Sequence, residues 1–269
     1  DQERSMKRLL RYRMTPILAT GGLGGWSLLQ LAPVEAAGSV LLCIAAATWI
    51  IYPLDPILDS RDRGPLEGPR VSTVIRLILA AVVFTLAILS LRLESQIFAV
   101  SGLLLALLYS VPVAGHRIKD YSAIKIPFIS LAVSLACLGL PWLQSGSTSI
   151  RQAMVPFLVM LMMVMCNVIV CDIRDHRRDH AAGLKTIATR SLIVARRVVM
   201  LLTLAIFGST WWLLHESAGG DSMLAGVGPI LAAMTLLLAS KMEARPTEMT
   251  ILADGSLTLP VLFEWLSRG

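Results

Sequence analysis

Aspartates at helical spacing occur at two places in this sequence. The first pair is Asp55 and Asp59, within Tyr52-Pro53-Leu54-Asp55-Pro56-Ile57-Leu58-Asp59-Ser60-Arg61-Asp62. The second group is Asp172, Asp175 and Asp179, within the stretch from Cys171 to Thr186. On a helix, Asp55 and Asp59 share a face, about 6 Å apart along the axis. Asp172, Asp175 and Asp179 fall within an arc of about 60°. Like charges so spaced repel, and a purely structural helix gains nothing from them. A divalent cation held between them removes the repulsion. Pro56 disfavours helical geometry at Asp55, so the first helix is expected to kink or end there. Gly183 is expected to stop the second. Arg174, Arg177 and Arg178 are expected on other sides of that helix, towards lipid headgroups or neighbouring acids.

Carboxylate oxygens are hard ligands that suit Mg²⁺, which keeps several waters and shares its shell with phosphate oxygens. A diphosphate is repelled by bare carboxylates but binds an ion held between them. Lysines and arginines nearby then neutralise the remaining charge and stabilise diphosphate as a leaving group. The competing use of the same residues is a solvated face of acid–arginine pairs. Two clusters on one side of a membrane favour the metal.

That they share a side follows from the elements that carry them. Of the 269 residues 55% are hydrophobic and 16% charged, with a mean hydropathy of +0.71. One soluble core cannot hide that much apolar surface. Apolar runs near 14–31, 38–54, 71–91, 96–113, 123–143, 153–171, 192–214, 223–240 and 248–266 are about the length that crosses a bilayer. The fold class is therefore an all-α, polytopic bundle of about nine transmembrane helices, in a single domain over 1–269. The last run is the weakest, since it contains Asp254, Gly255 and Pro260. Span 1 is long enough to remain in the membrane, so no cleavable leader is expected.

The net charge of +6 does not point to nucleic acid. With a cytoplasmic N-terminus, every one of the 24 Lys and Arg residues except Arg92, Arg151 and Arg268 falls at the inner face, as the positive-inside rule requires. Both aspartate clusters then lie at that face, after spans 2 and 6, which hints at two related halves. Trp142, Trp211, Trp212 and Trp265 stand near outer ends, where an aromatic belt forms. Cys43, Cys137, Cys166 and Cys171 lie in or beside apolar runs without a CxxC pair and read as small core hydrophobes. Met160, Met162, Met163 and Met165 read as packing, and the four histidines show no zinc spacing. Asp254 is open to two readings: an acid inside a span marks function by default, while the adjacent Gly255 can mark a helix break.

The stretch Asp172-Ile173-Arg174-Asp175-His176-Arg177-Arg178-Asp179, continued by Gly183, Lys185, Thr186 and Arg190, resembles the second motif, DxxDxxxDxxxGxxT, of the UbiA superfamily of intramembrane prenyltransferases. It is most similar to the branch that prenylates naphthoate and chlorophyll-type acceptors. Tyr109-Ser110-Val111-Pro112, followed by His116-Arg117-Ile118-Lys119, is similar to the family's stretch after span 4. The first motif departs from the family's NDxxDxxxD: Ile51 and Tyr52 stand where Asn and Asp are usual, leaving Asp55 and Asp59.

The resemblance implies Mg²⁺-assisted transfer of an isoprenyl chain from its diphosphate to an aromatic or other lipophilic acceptor within the bilayer. Carried over by position, Asp55, Asp59, Asp175 and Asp179 bind the metal, with Asp172 a further ligand. Arg117, Lys119 and Lys185 contact diphosphate, joined by Arg63 and Arg70 although these stand outside the usual register. Lys119 and Tyr109 are counted with the catalytic set, the tyrosine ring shielding a cation or orienting the chain. Asn167 lines the cavity or makes an interhelical hydrogen bond. Two alternatives stay open: a terpene cyclase on the same fold, and a non-catalytic lipid-binding or transport protein. Polar groups concentrated at one face argue against transport, which needs them deep in several spans.

Overall fold

A computed structural model describes residues 15–31, 34–60, 71–111, 122–146, 148–181, 183–216, 223–242 and 246–268. In the order of the chain the helices are α1 (Thr15–Gln30), α2 (Ala37–Ser60), α3 (Val71–Ile88), α4 (Leu93–Ser110) and α5 (Ser122–Ser134). A π-helical turn, Leu135–Gly139, joins α5 to α6 (Leu140–Ser145). Then come α7 (Ile150–Ala181), the single turn α8 (Ile187–Arg190), α9 (Leu192–Glu216), α10 (Met223–Ala239), α11 (Pro246–Ser256) and α12 (Leu259–Arg268). Among the described residues, each apolar run read from the sequence falls mainly on helix. Among the described residues six rods are long and apolar enough to cross a membrane, and Thr73–Ile88 and Gly226–Ala239 are shorter apolar helices.

The surface is what a bilayer demands. On α3, Ile75, Ile78, Leu79, Val82 and Leu86 are exposed, while Ala80, Phe84, Ala87 and Ile88 are buried. Such a stripe of large exposed aliphatics would aggregate in water. The chain is an integral membrane protein. Trp211, Trp212 and Trp265 are exposed, whereas Trp142 is half-buried and donates its indole N–H to Thr148 O at 2.8 Å. The four cysteines are free, and Met160 and Met163 are fully buried packing residues.

Two expectations about helix ends come out differently. The helix does not stop at Pro56: α2 runs on to Ser60 through Pro53 and Pro56, carrying Asp55 and Asp59 one turn apart on one backbone. The final apolar run, in contrast, is two helices, broken at Leu257–Thr258 ahead of Pro260. The break is gripped from both sides by glycines. A Cβ on Gly22 of α1 would lie 2.8 Å from Thr258 Cα, and one on Gly228 of α10 would lie 2.7 Å from Pro260 Cα. Only hydrogen fits at either contact, so backbone packs directly on backbone there.

The third helix end behaves as the sequence indicates. After Ala181 the chain turns at Gly183, whose φ of +70° is the left-handed region that favours glycine. Leu184 N–H donates to Asp179 O at 2.9 Å and Gly183 N–H to His180 O at 3.1 Å, the paired bonds of a Schellman stop. Thr186 then caps α8: its Oγ1 accepts from Thr189 N–H at 3.1 Å, and Thr189 Oγ1 accepts from Thr186 N–H at 2.7 Å. Gly183 and Thr186 are thus the stop and the restart of the chain beyond the aspartates.

Candidate metal and diphosphate site

Contacts between neighbouring helices decide which helix ends lie together. Thr20 of α1 meets Thr48 of α2, their hydroxyls 3.1 Å apart, and Gly24 faces Ile44 and Leu41, so α1 and α2 are antiparallel. Gly22 faces Thr258, Gly25 faces Val261, and Gln30 donates to Glu264, so α1 runs parallel to the α11–α12 rod. Arg174 of α7 reaches Thr250 and Asn167 reaches Asp254, so α7 and α11 are antiparallel. The carboxyl ends of α2 and α7 therefore lie at the same end of the bundle, with the amino ends of α1 and α11. That is the end where both aspartate groups sit. The two helices have mostly different neighbours: α2 packs on α1, α3 and α4, and α7 on α5, α9, α10 and α11.

On α7 the aspartates line one face, as their spacing requires. Asp172 and Asp179 are buried and Asp175 is half-buried. Asp172 Oδ1 accepts from Lys125 Nζ at 2.6 Å, across from α5. Its Oδ2 is buried and has no hydrogen-bond partner among the described residues. Asp175 takes a two-pronged bond from Arg174, Nε to Oδ1 at 3.0 Å and Nη2 to Oδ2 at 2.5 Å. The same guanidinium donates through Nη1 to Thr250 Oγ1 on α11 at 2.9 Å. Arg178 Nη2 lies 3.3 Å from Asp175 Oδ2 and 3.6 Å from Asp179 Oδ1. Of the two destinations expected for it, lipid headgroups or neighbouring acids, Arg174 takes the acid, and it ties α7 to α11.

One layer deeper, Asn167 Nδ2 donates to Asp254 Oδ1 at 3.2 Å, and both residues are buried. Asn167 does make an interhelical hydrogen bond, and the acid inside the last span is its partner. Tyr109, buried at the end of α4, lays its ring flat on Phe128 of α5, with centroids 4.5 Å apart and planes within 5°. One face of the tyrosine is therefore taken by Phe128. Lys185 is exposed in the turn after α7. The side chains of Asp55 and Asp59, and all of Arg63, Arg70, Arg117 and Lys119, lie outside the described residues.

Lys125 is the residue whose place at the site the sequence reading passed over, having counted it only as an inner-face charge. Its signal was present: a lone lysine one turn into an apolar span needs a carboxylate partner. Thr250 carried no such signal, because a threonine in a span usually bonds its own helix.

The donor set fits a hard cation in part. Carboxylate oxygens are the right chemistry, and the buried Asp172 Oδ2 is an acceptor without a donor among the described residues, a costly state unless something comes to it. Among the described residues, however, no three His, Cys, Asp or Glu side chains gather closely enough to hold a metal by themselves. A cation there needs further oxygens, from α2, from water or from a bound anion.

The UbiA prenyltransferase family model matches residues 17–250. No protein of curated function matches the sequence. Solved structures that share the fold at low identity include two UbiA-type proteins. The apo structure of a UbiA homolog from Aeropyrum pernix K1 superposes with a TM-score of 0.69 at 15% identity, covering 94% of this chain and 96% of that one. The structure of a digeranylgeranylglyceryl phosphate synthase in membranes gives 0.60 at 14% identity, covering 98% of both chains.

Proposed function

Because the chain belongs to the UbiA prenyltransferase family, we propose that it transfers an isoprenyl chain from an isoprenyl diphosphate to an aromatic or other lipophilic acceptor inside the bilayer. The observation that carries the reading is the α7 face, where three acids end a membrane helix and a buried carboxylate oxygen of Asp172 lacks a partner among the described residues. The whole chain, 1–269, acts as one transmembrane domain, with its N-terminus and site loops on the cytoplasmic side, as the charge asymmetry indicates.

In this reading Asp55 and Asp59 from α2 and Asp175 and Asp179 from α7 would hold Mg²⁺, with Asp172 as a further ligand. Bound Mg²⁺ supplies charge neutralisation of the diphosphate as it leaves. The chain's own residues do the remaining work. Arg117, Lys119, Lys185, Arg63 and Arg70 bind the diphosphate oxygens. Lys125 fixes Asp172 in one rotamer, leaving Oδ2 directed away from the ion pair. Arg174, anchored on Thr250, holds Asp175 in the same way. Tyr109 and Phe128 present a rigid aromatic wall at this end of the bundle, suited to an apolar chain with an allylic cation at its head. Exposed aliphatic faces keep the reaction within lipid, where a lipophilic acceptor is delivered directly.

Purified protein is incubated with Mg²⁺, isoprenyl diphosphates of several lengths and candidate acceptors, and products are followed by mass spectrometry. Acceptor-dependent diphosphate release is expected, with a product in which the donor's isoprenyl chain replaces one hydrogen of the acceptor. Release without acceptor, giving a cyclised hydrocarbon, identifies a cyclase instead. No release under any condition, with a family control active alongside, leaves a non-catalytic protein.

A further inference from the structure

The cations that neutralise the α7 acids are of two kinds. Arg174 is 12% exposed and held by three directional bonds, two to Asp175 and one to Thr250. It cannot leave without stripping a half-buried carboxylate of its bidentate partner. Arg178 is 68% exposed and lies astride Asp175 and Asp179 at 3.3 and 3.6 Å. An exposed guanidinium shared at such distances loses little by moving. Among the described residues, the cations paired with Asp172, Asp175 and Asp179 are Lys125, Arg174 and Arg178. Of these described cations Arg178 is the most exposed and the most loosely held, so it is the one a divalent ion arriving alone displaces most readily.

Resting on the reading that this end receives an isoprenyl diphosphate, we propose that Arg178 is an exchangeable counter-ion. It bridges Asp175 and Asp179, and it passes to the diphosphate oxygens when the donor arrives with its cation. One motion then uncovers Asp179 and supplies a guanidinium to the incoming anion, whose oxygens suit its planar fork as well as a carboxylate does. Arg178 thus competes with a metal presented alone and cooperates with a metal presented with diphosphate.

Arg178→Gln separates the two effects, which have opposite signs. Mn²⁺ binding to the purified protein without anion is read by electron paramagnetic resonance, and pyrophosphate binding in saturating Mg²⁺ by calorimetry. Arg178→Gln is expected to bind Mn²⁺ about two- to fivefold more tightly, the size of a lost exposed ion pair. It is expected to bind pyrophosphate about tenfold more weakly, the size of a lost charged hydrogen bond. Arg178→Lys keeps wild-type Mn²⁺ affinity and recovers part of the pyrophosphate affinity, since it keeps the charge without the fork. Both affinities unchanged in Arg178→Gln make the residue a surface ion pair or a headgroup contact and overturn the assignment. Both weakened show that it merely holds the acids in place, and overturn it equally. A wild-type protein that binds no pyrophosphate overturns the proposed function and this inference together, whereas equal binding by wild type and Arg178→Gln overturns this inference alone.

Discussion

Glu264 and Asp172 are both buried acids on helices of this bundle, at opposite ends, and their surroundings differ. Glu264 has each oxygen engaged: Oε2 accepts from Gln30 Nε2 at 2.5 Å, and Oε1 accepts from Arg268 Nε and Nη2, both at 3.1 Å. Arg268 goes on to the carbonyl of Leu29, so α12 is sewn to the end of α1. Asp172 has Oδ1 on Lys125 and nothing described on Oδ2. A buried polar network that closes on itself fixes a structure, while one left open at low dielectric is costly and persists where something is to be bound. Burial and charge alone do not tell the two apart. The bookkeeping of lone pairs does.

The comparison breaks most decisively on the α7 side. Asp175→Ala is expected to abolish Mg²⁺-dependent diphosphate binding and to cut diphosphate release by about 10²-fold or more, while the protein still reconstitutes as a folded bundle. Calorimetry with pyrophosphate and a turnover assay check it; unchanged binding returns the acids to a surface ion-pair role. Glu264→Ala should do the reverse, lowering stability by about 2 kcal/mol through the loss of charged hydrogen bonds and leaving turnover per folded molecule as in the wild type. Unfolding in mixed micelles against turnover in bicelles separates the two. Gly228→Ala, which forces a methyl onto the Pro260 backbone, is expected to cost about 1–3 kcal/mol by the same unfolding measurement. Smallest is Thr250→Val, which removes one anchor of Arg174 at about 1 kcal/mol and slows turnover a few-fold. Thr250→Ser should restore both.

How far the sequence foretold this arrangement depends on whether the cause is local. Hydropathy located the rods, because each bilayer crossing is written in a continuous apolar run. Gly183 announced its stop and Asp172, Asp175 and Asp179 their common face, since both depend on residues within two turns. Asn167 and Asp254 stood out separately, one as a cavity or bonding candidate and one as an acid out of place. Nothing local could join residues 87 positions apart. Lys125 and Asp172, 47 apart, are the same case. Of the kink or end that Pro56 suggested, the end does not occur, because a packed membrane helix carries on when alternatives expose backbone to lipid. The departure of Ile51 and Tyr52 from the family's first motif was plain to see, since it too is local.

The elbow at Leu257–Thr258, clasped between Gly22 and Gly228, sets the angular indexing of α11. Each residue along a helix advances about 100°. A single insertion between the elbow and Asp254 would swing Thr250 and Asp254 a quarter-turn or more around their axis, away from Arg174 and Asn167. The clasp fixes the elbow against α1 and α10, so such a slip finds no compliance to absorb it. The aim of side chains at one surface of the membrane is thus calibrated by two missing methyl groups well inside it.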